Sequence, residues 1–188
     1  MNSRRPARHA PRPLDSARLQ ELALRYVGKY ATTRAKLRIY LARKLRERGW
    51  EGEPRPDVEA LADRFAALGY VDDATYALGQ SRALSARGYG KRRLTEKLRL
   101  AGIDEADGAV ANDHADGQVV ESALRFAERR RIGPFAAAAA DPPRREKWIA
   151  AMVRAGHPFG LARAVAAMPP GTELDPDQLS EFARFTDA

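Results

Sequence analysis

The stretch Leu45-Arg46-Glu47-Arg48-Gly49-Trp50 has counterparts of equal length at residues 98–103 and 152–157. In each copy an apolar residue lies four positions before a glycine: Leu45, Leu98 and Met152. About one helical turn earlier, the copies align Leu41, Leu94 and Trp148. The glycines suit the left-handed residue that ends many helices, so each copy predicts a helix end. A repeat of about fifty residues is typical of stacked helical units and argues against a single enzyme cleft.

A second marker keeps the same period. An aromatic residue lies in a helical segment ahead of each glycine: Tyr26, Tyr76 and Phe126. No stretch shows the period-two alternation of a half-buried strand, so we predict an all-α fold of three tandem three-helix repeats. We place the repeats at residues 16–71, 72–115 and 116–168, between a disordered basic arm at 1–15 and an acidic tail at 169–188.

Helix starts are predicted from side chains that can accept the free amide protons of a first turn. The candidates are Thr32 or Thr33, Asp57, the pair Asp72 and Asp73, and Asp141. For Asp72 and Asp73 we favour this structural role over a metal or acid-base role, because acidic residues are common at helix starts. In the helix after Asp57, the inward side is predicted to hold Val58, Leu61, Ala62, Phe65 and Leu68. A small amphipathic helix with Leu179, Phe182 and Phe185 is expected in the tail.

The charge is unevenly distributed along the 188 residues. Residues 1–50 carry fourteen Lys and Arg against three acids, a net of +11, so the remainder must carry −3 for the chain to reach +8. A basic end of this kind suits a polyanion such as a nucleic-acid backbone. The chain has no cysteine, which excludes disulfides, thiolate metal sites and a cysteine nucleophile. No apolar run approaches the roughly 18 residues of a membrane span, and we expect a cytoplasmic monomer.

Residue patterns for catalysis are weak. The three histidines, His9, His114 and His157, lack the spacing of metal ligands. The segment Gly88-Tyr89-Gly90-Lys91 lacks the spacing of a phosphate-binding loop. We therefore expect neither enzymatic activity nor a cofactor or metal.

Basic side chains opposite the apolar stripes are the candidate binding residues. The stripe of Leu37, Leu41 and Leu45 places Lys36, Arg43 and Arg46 outward, and the stripe of Leu94 and Leu98 does the same for Arg92 and Arg99. Arg46 and Arg99 hold equivalent repeat positions, whereas the third repeat has Val153 there. Arg38 and Arg48 lie nearer the stripe. Outward Arg and Lys often serve solubility alone, which is the competing interpretation.

The tyrosines have two interpretations. We expect Tyr40, Tyr70, Tyr76 and Tyr89 in the core or at junctions between repeats, in preference to a surface that stacks nucleobases. Tyr89, between two glycines, is the best candidate for an exposed ring.

The chain resembles the RecX family of bacterial recombination regulators over roughly residues 18–168. The residues that carry this resemblance are Arg34-Ala35-Lys36-Leu37, Leu68-Gly69-Tyr70-Val71-Asp72-Asp73-Ala74-Thr75-Tyr76-Ala77, Arg87-Gly88-Tyr89-Gly90 and the segment 94–103. The resemblance implies a curved, elongated array of three-helix repeats. It also implies that the protein binds the RecA filament on single-stranded DNA and modulates, usually inhibits, ATP hydrolysis and strand exchange. The alanine run 136–140 and the acidic tail depart from the family pattern.

Two other functions stay open on the residues alone. The first is a DNA-binding regulator that uses helix-turn-helix-like units, although such units need Arg and amide side chains aimed at base edges. The amide side chains are scattered: Asn2, Asn112, Gln20, Gln80, Gln118 and Gln178. The second is a general single-strand binder, which the aromatic content of 7% disfavours.

Overall fold

The computed structural model describes residues 12–184, with Arg184 described by its backbone alone, and divides into two compact units, Met1–Asp72 and Asp73–Ala188. Between residues 12 and 184 the regular elements are ten α-helices and one short 3-10 turn at Gly133–Phe135, which confirms the all-α prediction. The helices of the first unit are α1 (Ser16–Lys29), α2 (Arg34–Arg48) and α3 (Val58–Ala67). Those of the second unit are α4 (Asp73–Ala86), α5 (Lys91–Leu100), α6 (Glu105–Gly117), α7 (Val119–Arg130), α8 (Pro142–Arg154), α9 (Phe159–Ala167) and α10 (Pro176–Arg184).

The three helices of the first unit begin at capping side chains. Asp15 accepts a hydrogen bond from the Arg18 amide, and Thr33 accepts one from the Lys36 amide. Asp57 accepts from two amides at the start of α3. The predicted caps Thr33 and Asp57 are thus confirmed. Gly49 ends α2 with φ of 78°, which a residue with a Cβ seldom adopts. The core holds Leu14, Leu19, Ala23, Leu37, Leu41, Ala62, Phe65 and Val71.

Three predictions for the first unit were wrong in detail. The disordered arm does not extend to residue 15, because Leu14 is fully buried and Asp15 caps α1. Residues 1–11, with the rest of that arm and His9, lie outside the described part of the chain. Leu68 is 59% exposed rather than inward, because α3 ends at Ala67. Leu45 is only partly buried against the core.

The second unit contains two hydrophobic clusters. The first joins α4, α5 and α6 through Ala77, Leu84, Leu94, Leu98, Ala101, Ile103, Ala111 and Ala115. The second joins α7 to α10 through side chains that include Phe126, Met152, Leu161 and Leu179. Tyr89 is partly buried and packs against both clusters, so its ring is not the exposed one that its flanking glycines suggested.

The third glycine-ended helix has a different register from the one predicted. Asp141 caps α8 by accepting a hydrogen bond from the Arg144 amide, as expected. The buried residues of this helix are Ile149 and Met152, whereas Trp148 is only partly buried. The buried stripe is therefore rotated by one residue from the repeat alignment.

The acidic tail forms a docked helix. Leu179 of α10 is fully buried in the hydrophobic cluster of α7 to α10, where this helix packs against α7 and α9. Phe182 is 39% exposed, and Phe185 lies beyond the described residues. From residue 12 to residue 184, no helix combines the length and the apolar character needed to cross a membrane.

Candidate nucleic-acid and partner interface

The first set of predicted site residues lies on α2. Burial of Leu37 and Leu41 fixes the rotation of this helix, and Arg43 and Arg46 are exposed as expected. Lys36, in the first turn of α2, is half-buried and therefore less exposed than predicted. The structure therefore supports an accessible position for two of the three α2 candidates.

An acidic residue lies within this set. Glu47 forms ion pairs with Arg43, at 3.5 Å between Nη1 and Oε1, and with Lys44, at 2.7 Å between Nζ and Oε2. The hydrogen bond from Lys44, with the charges of Lys44, Arg43 and Arg46, lowers the pKa of Glu47. Ion pairs exposed in this way contribute little to folding stability. They leave Arg43 and Lys44 available to exchange Glu47 for a stronger anion.

Ile39 of α2 was not among the predicted site residues. Its side chain is 67% exposed. Residues 39, 43 and 46 follow the helical spacing of one face, so Ile39 adjoins Arg43 on the surface, and Arg46 follows one turn further along. The signal was present in the sequence, since Ile39 falls outside the leucine stripe of α2. An exposed isoleucine one turn before Arg43 gives this face an apolar contact point as well as charge.

Arg38 and Arg48 have partners within the first unit. Arg38 pairs with Glu59 of α3. Arg48 donates from Nε and Nη2 to the carbonyl oxygen of Arg12, at 3.0 and 2.8 Å. Both arginines therefore hold neighbouring segments, which agrees with their exclusion from the candidate set.

The second set lies on α5, in the second unit. Leu94 is 1% and Leu98 is 4% exposed, and Arg92 and Arg99 are exposed on the other side as predicted. They are seven residues apart, so they share one face at a separation of about two turns. Among the residues of the described range, neither arginine forms an ion pair.

Two further arginines adjoin Arg92. Arg93 and Arg154 line a groove of about 350 Å³ together with Arg92, Glu96 and Gly156. Arg93 pairs with Glu96 at 3.2 Å between Nη1 and Oε2. Arg154 comes from the end of α8, which packs against the start of α5 through backbone atoms: the Gly90 amide donates to the Ala155 carbonyl at 3.0 Å. Arg154 lies beside Arg92 only because of this tertiary contact, so the sequence pattern could not have predicted it as a site residue.

The other residues considered for chemistry have structural surroundings. The hydroxyl oxygen of Ser81 lies 3.0 Å from Nδ1 of His114. His157 is buried and donates from Nε2 to the Gly88 carbonyl at 3.1 Å. Asp73 is the first residue of α4 and is buried, with Asp72 just before it. Their role as a helix cap stays a prediction. Across the described chain, no group of three or more side chains suited to a metal ion occurs.

These features define a class of protein: an all-helical chain in which each unit carries its own exposed cationic helix face, on α2 in the first unit and on α5 in the second. No family model matches the chain. Individual proteins do match it. The chain is 32% identical to the regulatory protein RecX of Myxococcus xanthus over 163 residues, which cover 82% of this chain and 87% of that protein. It is 31% identical to RecX of Agrobacterium fabrum, with 79% and 80% covered, and 32% identical to RecX of Thermobifida fusca, with 78% and 75% covered. The chain belongs to the RecX family.

Proposed function

We propose that this protein regulates the RecA recombinase in DNA repair and recombination, by binding the RecA filament on single-stranded DNA and inhibiting its ATP hydrolysis and strand exchange. Two things support the proposal: membership of a family named for regulation, and the resemblance of the motifs between residues 34 and 103 to those of RecA modulators. The protein acts without catalysis of its own, in the cytoplasm and as a monomer.

The observation that carries the proposal is the exposure of Arg43, Arg46, Arg92 and Arg99 on the faces opposite the leucine stripes. Arginine binds phosphate and carboxylate through a planar fork of donors, so such faces suit the anionic surface of a nucleoprotein filament. Three-helix repeats, divided after residues 71 and 115, would present these faces from equivalent helices of the first and second repeats.

The test is ATP hydrolysis by RecA on single-stranded DNA, with this protein titrated from substoichiometric to equimolar amounts at two salt concentrations. We expect inhibition well below equimolar protein, and weaker inhibition at the higher salt, because counterion release contributes to binding. The variant with Arg43→Glu, Arg46→Glu, Arg92→Glu and Arg99→Glu should lose the inhibition while its helical content stays unchanged.

A matched control changes the net charge by the same amount elsewhere. Arg64, Arg82, Arg145 and Arg163 are exposed and lie on α3, α4, α8 and α9. Their replacement by glutamate should weaken inhibition far less. Equal loss in both variants would reduce the effect to overall charge. Absence of inhibition at any ratio, with sequence-dependent binding to duplex DNA alone, would favour a DNA-binding regulator.

A further inference from the structure

Three tyrosines form a cluster where the end of α1 meets α2. The rings of Tyr26 and Tyr40 are stacked, with centroids 4.1 Å apart and planes at 10°. The rings of Tyr26 and Tyr30 are tilted at 51° with centroids 5.5 Å apart. Tyr26 and Tyr40 pack against the core of the first unit, whereas Tyr30 is 50% exposed. The cluster therefore runs from the core to a ring that is open to solvent.

Three cations surround this cluster. The Lys29 ammonium lies 5.4 Å from the centroid of Tyr30. The Arg43 guanidinium and the Lys44 ammonium lie 5.7 and 5.9 Å from the centroid of Tyr40. The acidic partner on this side is Glu47, which Arg43 and Lys44 share. Positive charge thus exceeds negative charge around the cluster: Lys29 lies at the exposed ring of Tyr30, and Arg43 and Lys44 lie at the half-buried ring of Tyr40.

The combination of an accessible ring and excess cations has a specific ligand chemistry. Every nucleobase has a π-face that stacks on a tyrosine, and the phosphates on either side of that base pair with Lys and Arg. Bases inside a duplex are stacked on each other and do not reach such a ring without being flipped out. The site therefore suits an unpaired base in a single strand.

We propose that Tyr30, supported by Tyr26 and Tyr40, is a stacking site for one unpaired base of single-stranded nucleic acid, and that Lys29, Arg43 and Lys44 hold the adjoining phosphates. The inference deepens the proposed function, since it names the part of a DNA-bound filament that the first unit would contact. A protein partner could also use an exposed tyrosine beside an arginine. Three cations contact the cluster, and Glu47 pairs with two of them, so the positive charge of the described residues favours the nucleic acid.

The experiment measures binding without RecA, by fluorescence anisotropy, so that it does not depend on filament regulation. The probes are a labelled oligothymidylate of fifteen nucleotides, an abasic oligonucleotide of equal length and charge, and a duplex of fifteen base pairs. The unaltered protein should bind the oligothymidylate more tightly than the abasic strand. Tyr30→Ala should weaken binding of the oligothymidylate by roughly 5- to 150-fold, the range of one lost stacking contact. Its affinity for the abasic strand should stay unchanged.

Two further variants serve as controls. Tyr30→Trp should retain the preference for bases, because the larger ring also stacks. Tyr70→Ala removes a tyrosine of similar exposure, 52%, whose ring contacts Phe65 outside the cluster, and it should leave binding of both strands unchanged. Circular dichroism of each variant confirms that the helices are intact.

Equal affinity of the unaltered protein for the oligothymidylate and the abasic strand would overturn the stacking site, even if the protein inhibits RecA. An equal loss of affinity for the oligothymidylate and the abasic strand in Tyr30→Ala would overturn it as well. Unchanged strand binding combined with weaker inhibition of RecA would assign Tyr30 to a protein contact instead. Conversely, base-dependent binding without any effect on RecA would support the stacking site and contradict the proposed function.

Discussion

Gly90 and Gly156 are in direct backbone contact within the second unit. A Cβ atom at Gly90 would overlap the carbonyl group of Gly156, and one at Gly156 would lie 2.7 Å from the Arg93 amide nitrogen. At this point the Gly156 carbonyl also accepts a hydrogen bond from the Arg92 amide at 3.3 Å. The end of α8 therefore supplies acceptors to the start of α5, a helix end that has no side-chain cap.

Gly90→Ala should destabilise the second unit by about 1–3 kcal/mol, the usual cost of overpacking, because the obstructing atoms are backbone and cannot rotate away. The measurement is the urea midpoint followed by circular dichroism. Gly79→Ala is the matched control: Gly79 lies inside α4, and a Cβ there meets nothing within 4 Å. It should raise stability by about 0.5–1 kcal/mol, since alanine favours the helix. An unchanged urea midpoint for Gly90→Ala would show that the backbone at Gly156 can shift to make room for the Cβ atom.

Leu98→Asp should disrupt the cluster formed by α4, α5 and α6. Leu98 is 4% exposed, and a carboxylate there would lose its hydration. We expect a loss of at least the roughly 2–5 kcal/mol that truncation of a buried leucine costs. Helical content and the unfolding midpoint report the change.

Leu100 provides the control on the same helix. It is 70% exposed, so Leu100→Asp should leave the unfolding midpoint close to that of the parent protein. Leu45 holds the same place as Leu98 in the repeat alignment but is only partly buried, so Leu45→Asp should cost less than Leu98→Asp. If Leu45 and Leu98 proved equally sensitive, burial would not explain the difference between these helices.

Helix starts were predictable from the sequence because their causes are local. Thr33, Asp57 and Asp141 each accept hydrogen bonds from amides two or three residues ahead, and a side chain of that kind is visible in the sequence. The prediction of inward residues was wrong where it continued the helical spacing past the end of a helix, as at Leu68. It also failed at Trp148, where tertiary packing of α8 buries Ile149 instead.

The candidate site was predictable in part for a related reason. Arg92 and Arg99 follow from the leucine stripe of their own helix, so their exposure could be inferred from residues 91–100 alone. The approach of Arg154 depends on the contact of Gly90 with Gly156, residues distant in the sequence. The exposed ring of Tyr30 depends on how α1 meets α2, and most of the other tyrosines were predicted in the core or at junctions between repeats. Tyr70 is likewise half exposed, against that expectation.

Leu14 should be essential for the stability of the first unit, although it lies in a segment that the sequence predicted as disordered. Its amide donates to the Gly49 carbonyl at 3.0 Å, and its carbonyl accepts from the Glu51 amide at 2.8 Å. Its side chain is fully buried. Leu14→Ala should therefore cost about 2–5 kcal/mol. Pro13→Ala, at an exposed neighbouring position, should be close to neutral in the same urea titration. Equal midpoints for both variants would contradict the docking of this segment.

His157 should make the second unit less stable in mild acid. Burial lowers the pKa of its imidazole to about 4, against the opposing hydrogen bond with the Gly88 carbonyl. The unfolded chain binds a proton at a pKa near 6.5, whereas the folded chain does not until about pH 4. Stability due to the neutral ring is thus fully present above pH 6.5 and falls as the pH drops toward 4, by about 3 kcal/mol in total. Unfolding free energies at pH 7, 5.5 and 4 measure this loss. His157→Gln keeps a donor for Gly88 but does not titrate, so its stability should fall less over this range. Parallel pH profiles for the two proteins would show that other groups cause the acid sensitivity.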